Sequence, residues 1–257
     1  MNKKIITVIV TILVALPFIA NADTKPCTIV IGASFAGDKW PIVTEHASAS
    51  GNETMDSRNA LLGGRYFGLC NALQQVVGTS RQVSCPAVAG AMSFDLNIPF
   101  GPTDIVAPGY LSQLAKGINE CTWNGHLLAD SLVVTLVNDG LGAIEPTKDV
   151  VTAAKNAGIN NVIVQAYQQD MPDFYQEFTT AMEKHGSYWG TVIQALSAVP
   201  NTADYTALVD AHTAALSNFA GVKRYLQFYD RDYESFDGVH PRADAQKNAA
   251  DILKNRI

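Results

Sequence analysis

Apolar residues fall along this chain in two kinds of run, and their alternation defines a fold. Residues 27–31 form a short β-branched run, Thr28-Ile29-Val30-Ile31 after Cys27, that stops at Gly32. A continuous apolar run of this length, ended by glycine, reads as a strand buried on both faces. Residues 130–137 carry the clearest such run, with Leu132-Val133-Val134 at its centre, and 81–85, 161–166 and 224–229 read as three further strands. Between them the spacing lengthens to three and four. Leu62, Tyr66, Leu69, Leu73 and Val76 predict a helix over 59–77, with Gly78 as its stop. Helices are likewise expected over 110–119, over 146–158 up to Gly158, over 204–219 and over 243–257. Strands alternating with helices predict a parallel sheet covered on both faces and joined by right-handed crossovers. Residues 38–58 and 93–109 are polar or rich in proline and glycine and read as loops. Both follow strands, and ligand sites in open α/β sheets collect at the carboxyl ends of strands.

The first 22 residues are set apart. Lys3 and Lys4 precede an apolar stretch over 5–20, and Ala20-Asn21-Ala22 has the small-residue pattern of a cleavage site. This predicts a signal peptide cut after Ala22, rather than an anchor, and export to the periplasm or beyond the cell. Residues 23–257 are expected to form one domain, since no repeat, linker or second membrane-length apolar run interrupts them. Loss of 1–22 removes two lysines and no acidic residue, so the formal charge of −6 becomes −8. An acidic exported chain is a poor candidate for nucleic-acid binding.

Four cysteines, Cys27, Cys70, Cys85 and Cys121, all lie in the first half. An even count in an exported chain points to two disulfides, for which three connectivities exist. Cys27 opens the first strand and Cys121 closes the helix before its expected neighbour, which favours Cys27–Cys121 with Cys70–Cys85; reduced buried cysteines are the alternative. No C-x-x-C spacing is present, so neither a redox motif nor a zinc site is expected. His46, His126, His185 and His212 have no H-x-x-x-H spacing, so no metal is expected. No glycine-rich dinucleotide or Walker pattern follows any strand, and no cofactor is expected. Asn52-Glu53-Thr54 matches a glycosylation sequon, which a bacterial exported protein would leave unused. Tyr188 and Trp189 either line an acyl or sugar pocket or pack in the core.

Candidate chemistry lies at both ends of the chain. Asp237-Gly238-Val239-His240-Pro241 places an acid three residues before a histidine, just ahead of the last helix. Ser34, in Gly32-Ala33-Ser34-Phe35, stands at the end of the first strand. A serine hydroxyl is a poor nucleophile until a base takes its proton, and an imidazole needs a carboxylate to hold its tautomer. Each residue alone has an ordinary explanation: Ser34 as a turn residue, His240 as a helix-start residue, Asn138-Asp139-Gly140 as a turn. The segment Gly32-Ala33-Ser34-Phe35-Ala36 is not the G-x-S-x-G elbow, which disfavours the α/β-hydrolase fold.

In order along the chain, four blocks resemble those of the SGNH (GDSL) hydrolases. Gly32-Ala33-Ser34-Phe35 resembles the nucleophile block and Ala87-Val88-Ala89-Gly90 the second. Leu136-Val137-Asn138-Asp139 resembles the G-x-N-D block, and Asp237-Gly238-Val239-His240-Pro241 matches D-x-x-H-P. The resemblance spans about residues 27–250. It implies a three-layer α/β/α sandwich, flavodoxin-like, with a five-stranded parallel sheet in the order 2-1-3-4-5. It also implies a monomeric serine esterase with Ser34, Asp237 and His240 as catalytic residues. The backbone N–H groups of Ser34 and Gly90 and the Asn138 amide would form the oxyanion hole. The substrate would be a small-molecule, lipid or glycan ester, with short acyl or acetyl esters favoured because no loop resembles a long apolar groove. Two positions depart from the family pattern: Ala33 stands where relatives carry Asp, and Leu136 where they carry Gly. These departures leave open a non-catalytic glycan- or surface-binding protein on the same fold. A third reading is an acyltransferase using the same serine.

Overall fold

The computed structural model describes residues 24–37, 42–43, 68–88, 91–100, 103–137, 140–167, 202–229, 241 and 243–257. Five parallel strands form the central sheet: β1 (Cys27–Ile31), β3 (Gln82–Ser84), β8 (Ala129–Val134), β9 (Asn161–Gln165) and β10 (Val222–Leu226). Across the sheet they run β3-β1-β8-β9-β10, which is the order 2-1-3-4-5 when these five alone are counted. The helices are α1 (Leu69–Val77), α2 (Tyr110–Glu120), α3 (Ile144–Asn156), α4 (Thr202–Leu216) and α5 (Ala243–Lys254). A short 3-10 turn, Gly140–Ala143, precedes α3.

The period of two in the strands divides the core into two layers. Ile29 and Ile31 of β1, Leu132 and Val134 of β8, and Val162 and Val164 of β9 face one cluster, where Leu114, Val150 and Leu216 from α2, α3 and α4 pack. Val30, Val133 and Ile163 face the other cluster, with Leu73 of α1 and Leu253 of α5. Each of these buried side chains contributes about 1.5–3 kcal/mol by leaving water. A strand lying between two such layers must be apolar at every position, which is why β1 and β8 read as continuous runs. The direction of strand addition reverses after β3, and the helices change face with it, as right-handed crossovers require. The strand order therefore switches between β1 and β8, and the chain leaves these two strands toward opposite faces.

A polar ladder crosses the N-terminal edge of the sheet. Arg81, just before β3, donates through Nη1 to Thr28 Oγ1 of β1 (3.0 Å) and through Nη2 to Asp130 Oδ2 of β8 (2.9 Å). Nη1 also pairs with Asp130 Oδ1. Asn161 Nδ2 of β9 donates to Ser131 Oγ of β8 (3.0 Å), and Arg224 Nη1 of β10 donates to Asn161 Oδ1 (3.0 Å). These bonds join all five strands at the end away from the candidate site.

Both disulfides have the expected pairing. Cys27–Cys121 ties the start of β1 to the end of α2, and Cys70–Cys85 ties α1 to the residue after β3. Among the described residues no helix is long and apolar enough to cross a membrane.

The loop expected over 93–109 is instead a hairpin. β4 (Leu96–Phe100) pairs antiparallel with β5 (Thr103–Ala107), and β5 pairs with β2 (Ile42–Val43), inside the other expected loop. Proline counts concealed this pattern, because Pro99 lies on β4, an edge strand of this three-stranded sheet, where proline is tolerated. The alternation Leu96, Ile98, Phe100 was the signal to follow. A second small hairpin joins β6 (Thr122–Trp123) to β7 (His126–Leu127) through Asn124-Gly125, both at positive φ (48° and 78°). That is the Asn-Gly turn of a two-residue hairpin. The predicted helix over 59–77 is observed from Leu69, and 59–67 lie outside the described residues. The candidate signal peptide, 1–22, lies outside them too.

Two outcomes follow for stability. The two disulfides are separated by 94 and 15 residues. Loop closure in the unfolded chain then makes the first worth about 4.5 kcal/mol and the second about 3 kcal/mol. Urea unfolding of the Cys27→Ala/Cys121→Ala and Cys70→Ala/Cys85→Ala pairs should therefore show the larger loss for the first. For Asp130, burial pushes the carboxyl up, but the hydrogen bonds from Arg81 and Ser131 and the Arg81 charge outweigh it and hold it below the ordinary 3.8. A depressed folded value stabilises above the unfolded value and is lost as pH falls through the folded one. Half of this side chain is in solvent, so its contribution is under ~1 kcal/mol. The stability gap between wild type and Asp130→Asn should be constant from neutral pH down to about 5 and close below 3.8.

Candidate active site

Everything near Ser34 is set by how β1 leaves the sheet. The Ile31 carbonyl ends β1, accepting from both the N–H (2.9 Å) and the Oγ1 (3.0 Å) of Thr135. Gly32 then turns out of the sheet at φ +138°, a region that L side chains rarely adopt. A Cβ at Gly32 would lie 1.8 Å from Thr135 Oγ1, so space as well as backbone geometry requires glycine. Ala33 is buried and Ser34 half-buried in the turn that follows, closed by Gly37 N–H to Ala33 O at 2.9 Å.

Three other segments meet this turn. After β3, the Val88 N–H donates to the Gly32 carbonyl (3.3 Å). After β8, the Leu136 carbonyl accepts from the Ala33 N–H (3.3 Å), while the Leu136 N–H donates to Gln165 Oε1 at the end of β9 (3.2 Å). From the C-terminal part, Gln246 of α5 donates through Nε2 to the Phe35 carbonyl (3.2 Å) and accepts from the Tyr229 hydroxyl (2.7 Å). The Phe35 and Tyr229 rings meet edge to face, with centroids 5.5 Å apart. The carbonyls of Phe35 and Ala36 in turn accept from the N–H groups of Leu69 and Cys70, the free donors of the first turn of α1.

Of the residues named from sequence, Ser34 is described, and it stands at the switch point between β1 and β8. Gly90, Asn138, Asp237 and His240 lie outside the described residues. Val88 and Leu136, each two residues from Gly90 and Asn138 respectively, hydrogen-bond to the Ser34 turn, as does Gln246 of α5. The two departures have clear surroundings. The Ala33 methyl is 2% exposed and belongs to the larger core cluster. The half-buried Leu136 side chain packs against Tyr167, Leu208 and Val209. Burial pushes the Tyr225 hydroxyl up.

Sequence reasoning missed four positioning side chains. Gln113, Gln165 and Gln246 hold the turn and its neighbour through neutral amides, and the Tyr110 hydroxyl donates to the Thr135 carbonyl (2.7 Å). The first three are glutamines buried on otherwise apolar faces, and a polar residue at an apolar position was the available signal. Among the described residues no group of three or more His, Cys, Asp or Glu side chains is placed to hold a metal ion.

No family model matches the chain, and no curated protein matches its sequence. Several solved structures resemble it, two of which illustrate the likeness. One is a candidate arylesterase from Agrobacterium tumefaciens str. C58, with TM-score 0.53 and 10% identity over 90% of this chain and 97% of that one. The other is a carbohydrate acetylesterase family member from Sinorhizobium meliloti, with TM-score 0.46 and 13% identity over 90% of this chain and 96% of that one. The first likeness establishes a shared α/β fold; the second is too distant to carry an argument.

Gly32→Ala tests the geometry of the turn directly. It should cost roughly 2–5 kcal/mol, the sum of a strained φ and an overpacked contact. Thermal unfolding of the variant should show a matching fall in midpoint.

Proposed function

We propose that this protein is an exported serine hydrolase that cleaves carboxylic esters. The observation that carries the reading is the convergence on one half-buried serine. Val88 of the second block, Leu136 of the third and Gln246, beyond the last, hydrogen-bond to Gly32, Ala33 and Phe35, around Ser34, at the switch point of the sheet. The fold shared with a candidate arylesterase supports it at the level of architecture. The two disulfides agree with export.

In the proposed reaction Ser34 Oγ attacks the acyl carbon and its proton passes to His240. The oxyanion that forms is met by the Ser34 and Gly90 N–H groups and the Asn138 amide. Collapse breaks the bond to the alcohol, which leaves with the proton from His240. Water, deprotonated by His240, then attacks acyl-Ser34 and releases the acid. Asp237 holds the imidazole tautomer and stabilises the cation. Short acyl or acetyl esters are the proposed substrates, and periplasm or medium the proposed location.

Residues 23–257, produced in an oxidising compartment, should react with a fluorophosphonate probe, and Ser34→Ala should not. Asn138→Ala should lower turnover of a good ester by roughly 100- to 1000-fold. Rates across an ester series should fall as the acyl chain lengthens. A folded wild type that fails to label would overturn the reading in favour of a binding protein.

A further inference from the structure

We infer that Gln113 is a positioning residue for the Ser34 nucleophile, acting through the backbone of Gly32; this rests on the reading of Ser34 as nucleophile. The Gln113 side chain belongs to α2 and is 0% exposed. Its Oε1 accepts from the Gly32 N–H at 2.7 Å, and its Nε2 donates to the Gly32 carbonyl at 3.1 Å and to the Pro108 carbonyl at 2.7 Å. One primary amide thus meets both backbone polar groups of the residue two places before Ser34. The Gly32 carbonyl also accepts from the Val88 N–H beyond β3 (3.3 Å), so the amide gives the Gly32 N–H its acceptor and the carbonyl a second donor. Donor and acceptor together fix the orientation of that peptide segment, which a single bond would leave free to rotate.

The rest of α2 is built to bring this amide in. Gly117, one turn further and on the same face, lets the helix approach β1, since a Cβ there would lie 2.4 Å from Ile29 Cγ2. Asp95 holds the start of the helix, accepting from the Gly109 N–H and the Ser112 hydroxyl, each at 2.7 Å. Ala33 has no polar side-chain atom, so the turn draws its orientation from outside its own sequence. Because Gln113 is neutral, it positions Ser34 without adding charge beside the oxyanion.

The test uses the mature chain, with Gln113→Met (similar volume, no amide), Gln113→Asn (the same amide one methylene shorter) and Ile159→Ala. Ile159 is buried before β9, at the opposite end of the sheet, and serves as a stability control. The fluorophosphonate reaction forms the Ser34 Oγ–P bond, expels fluoride and gives the serine proton to His240. Its second-order rate constant is measured per folded molecule, well below each unfolding midpoint, and amide exchange over 32–36 is read on the same samples. Both Gln113 variants should label about 10- to 100-fold more slowly, the usual cost of misplacing a reacting group by about an ångström, and exchange faster over 32–36. Ile159→Ala should label at the wild-type rate. Two measured variants keep a rate in hand should one fail to fold. Wild-type labelling in a folded Gln113 variant overturns the inference, as does equal slowing in Ile159→Ala. Exchange separates the remaining failures. Faster exchange over 32–36 with an unreactive wild type condemns the Ser34 reading and the inference with it, whereas unchanged exchange in a reactive series condemns the hold by Gln113 alone.

Discussion

The end of β1 is the constraint on which the rest depends. A buried strand cannot stop without leaving backbone donors and acceptors unpaired, and each such group costs about 1–3 kcal/mol. At Gly32 the carbonyl also accepts from the Val88 N–H, while the N–H donates to a side chain. That side chain is Gln113, whose amide accepts from the Gly32 N–H and gives the carbonyl a second donor. That solution needs α2 to lie close on β1, which needs Gly117, and it needs the start of α2 to be held, which Asp95 does. The Cys27–Cys121 bond fixes the far end of the same helix to the far end of the same strand. Strand and helix are thus joined at both ends, and the serine is carried at one of them.

The two edges of the sheet are held by different chemistry. At the N-terminal edge Arg81, Asp130 and Arg224 build a partly charged ladder over all five strands. At the C-terminal edge the hydrogen bonds to Gly32, Ala33, Phe35 and Leu136 come from backbone groups and three glutamine amides. Neutral donors and acceptors fix geometry without shifting the titration of a reacting group, and they hold at any pH where the fold persists. Ala33 and Leu136, where the sequence departs from the blocks it resembles, fit this division. Ala33 lies in the core and leaves orientation to Gln113 and Gln246, while Leu136 has its own apolar niche beside Tyr167.

The architecture was legible because burial on two faces imposes a pattern on every central strand. β1, β8 and β9 must be apolar at consecutive positions, so their runs stand out, and helical spacing between them fixes the layer order. The disulfide partners were legible once Cys27 and Cys121 were placed on neighbouring elements. The hairpin of β4 and β5 was not, because Pro99 was weighed as a loop residue when an edge strand tolerates it. Of the candidate site, the place of Ser34 just after a strand was legible, through the glycine that ends the apolar run before it.

The sequence by itself determined the α/β class, the positions of the five central strands and the placing of a serine just after the first, because each follows from local pattern and burial; among three cysteine pairings it only favoured one. Only the tertiary structure decided what holds that serine's backbone. Gln113, Gln165 and Gln246 lie 81, 29 and 211 residues from the groups they bond. A glutamine at an apolar position signals a buried amide, but not what it binds. Its partner is chosen by which backbone groups the sheet leaves unpaired, and that is settled only when strands and helices are packed together.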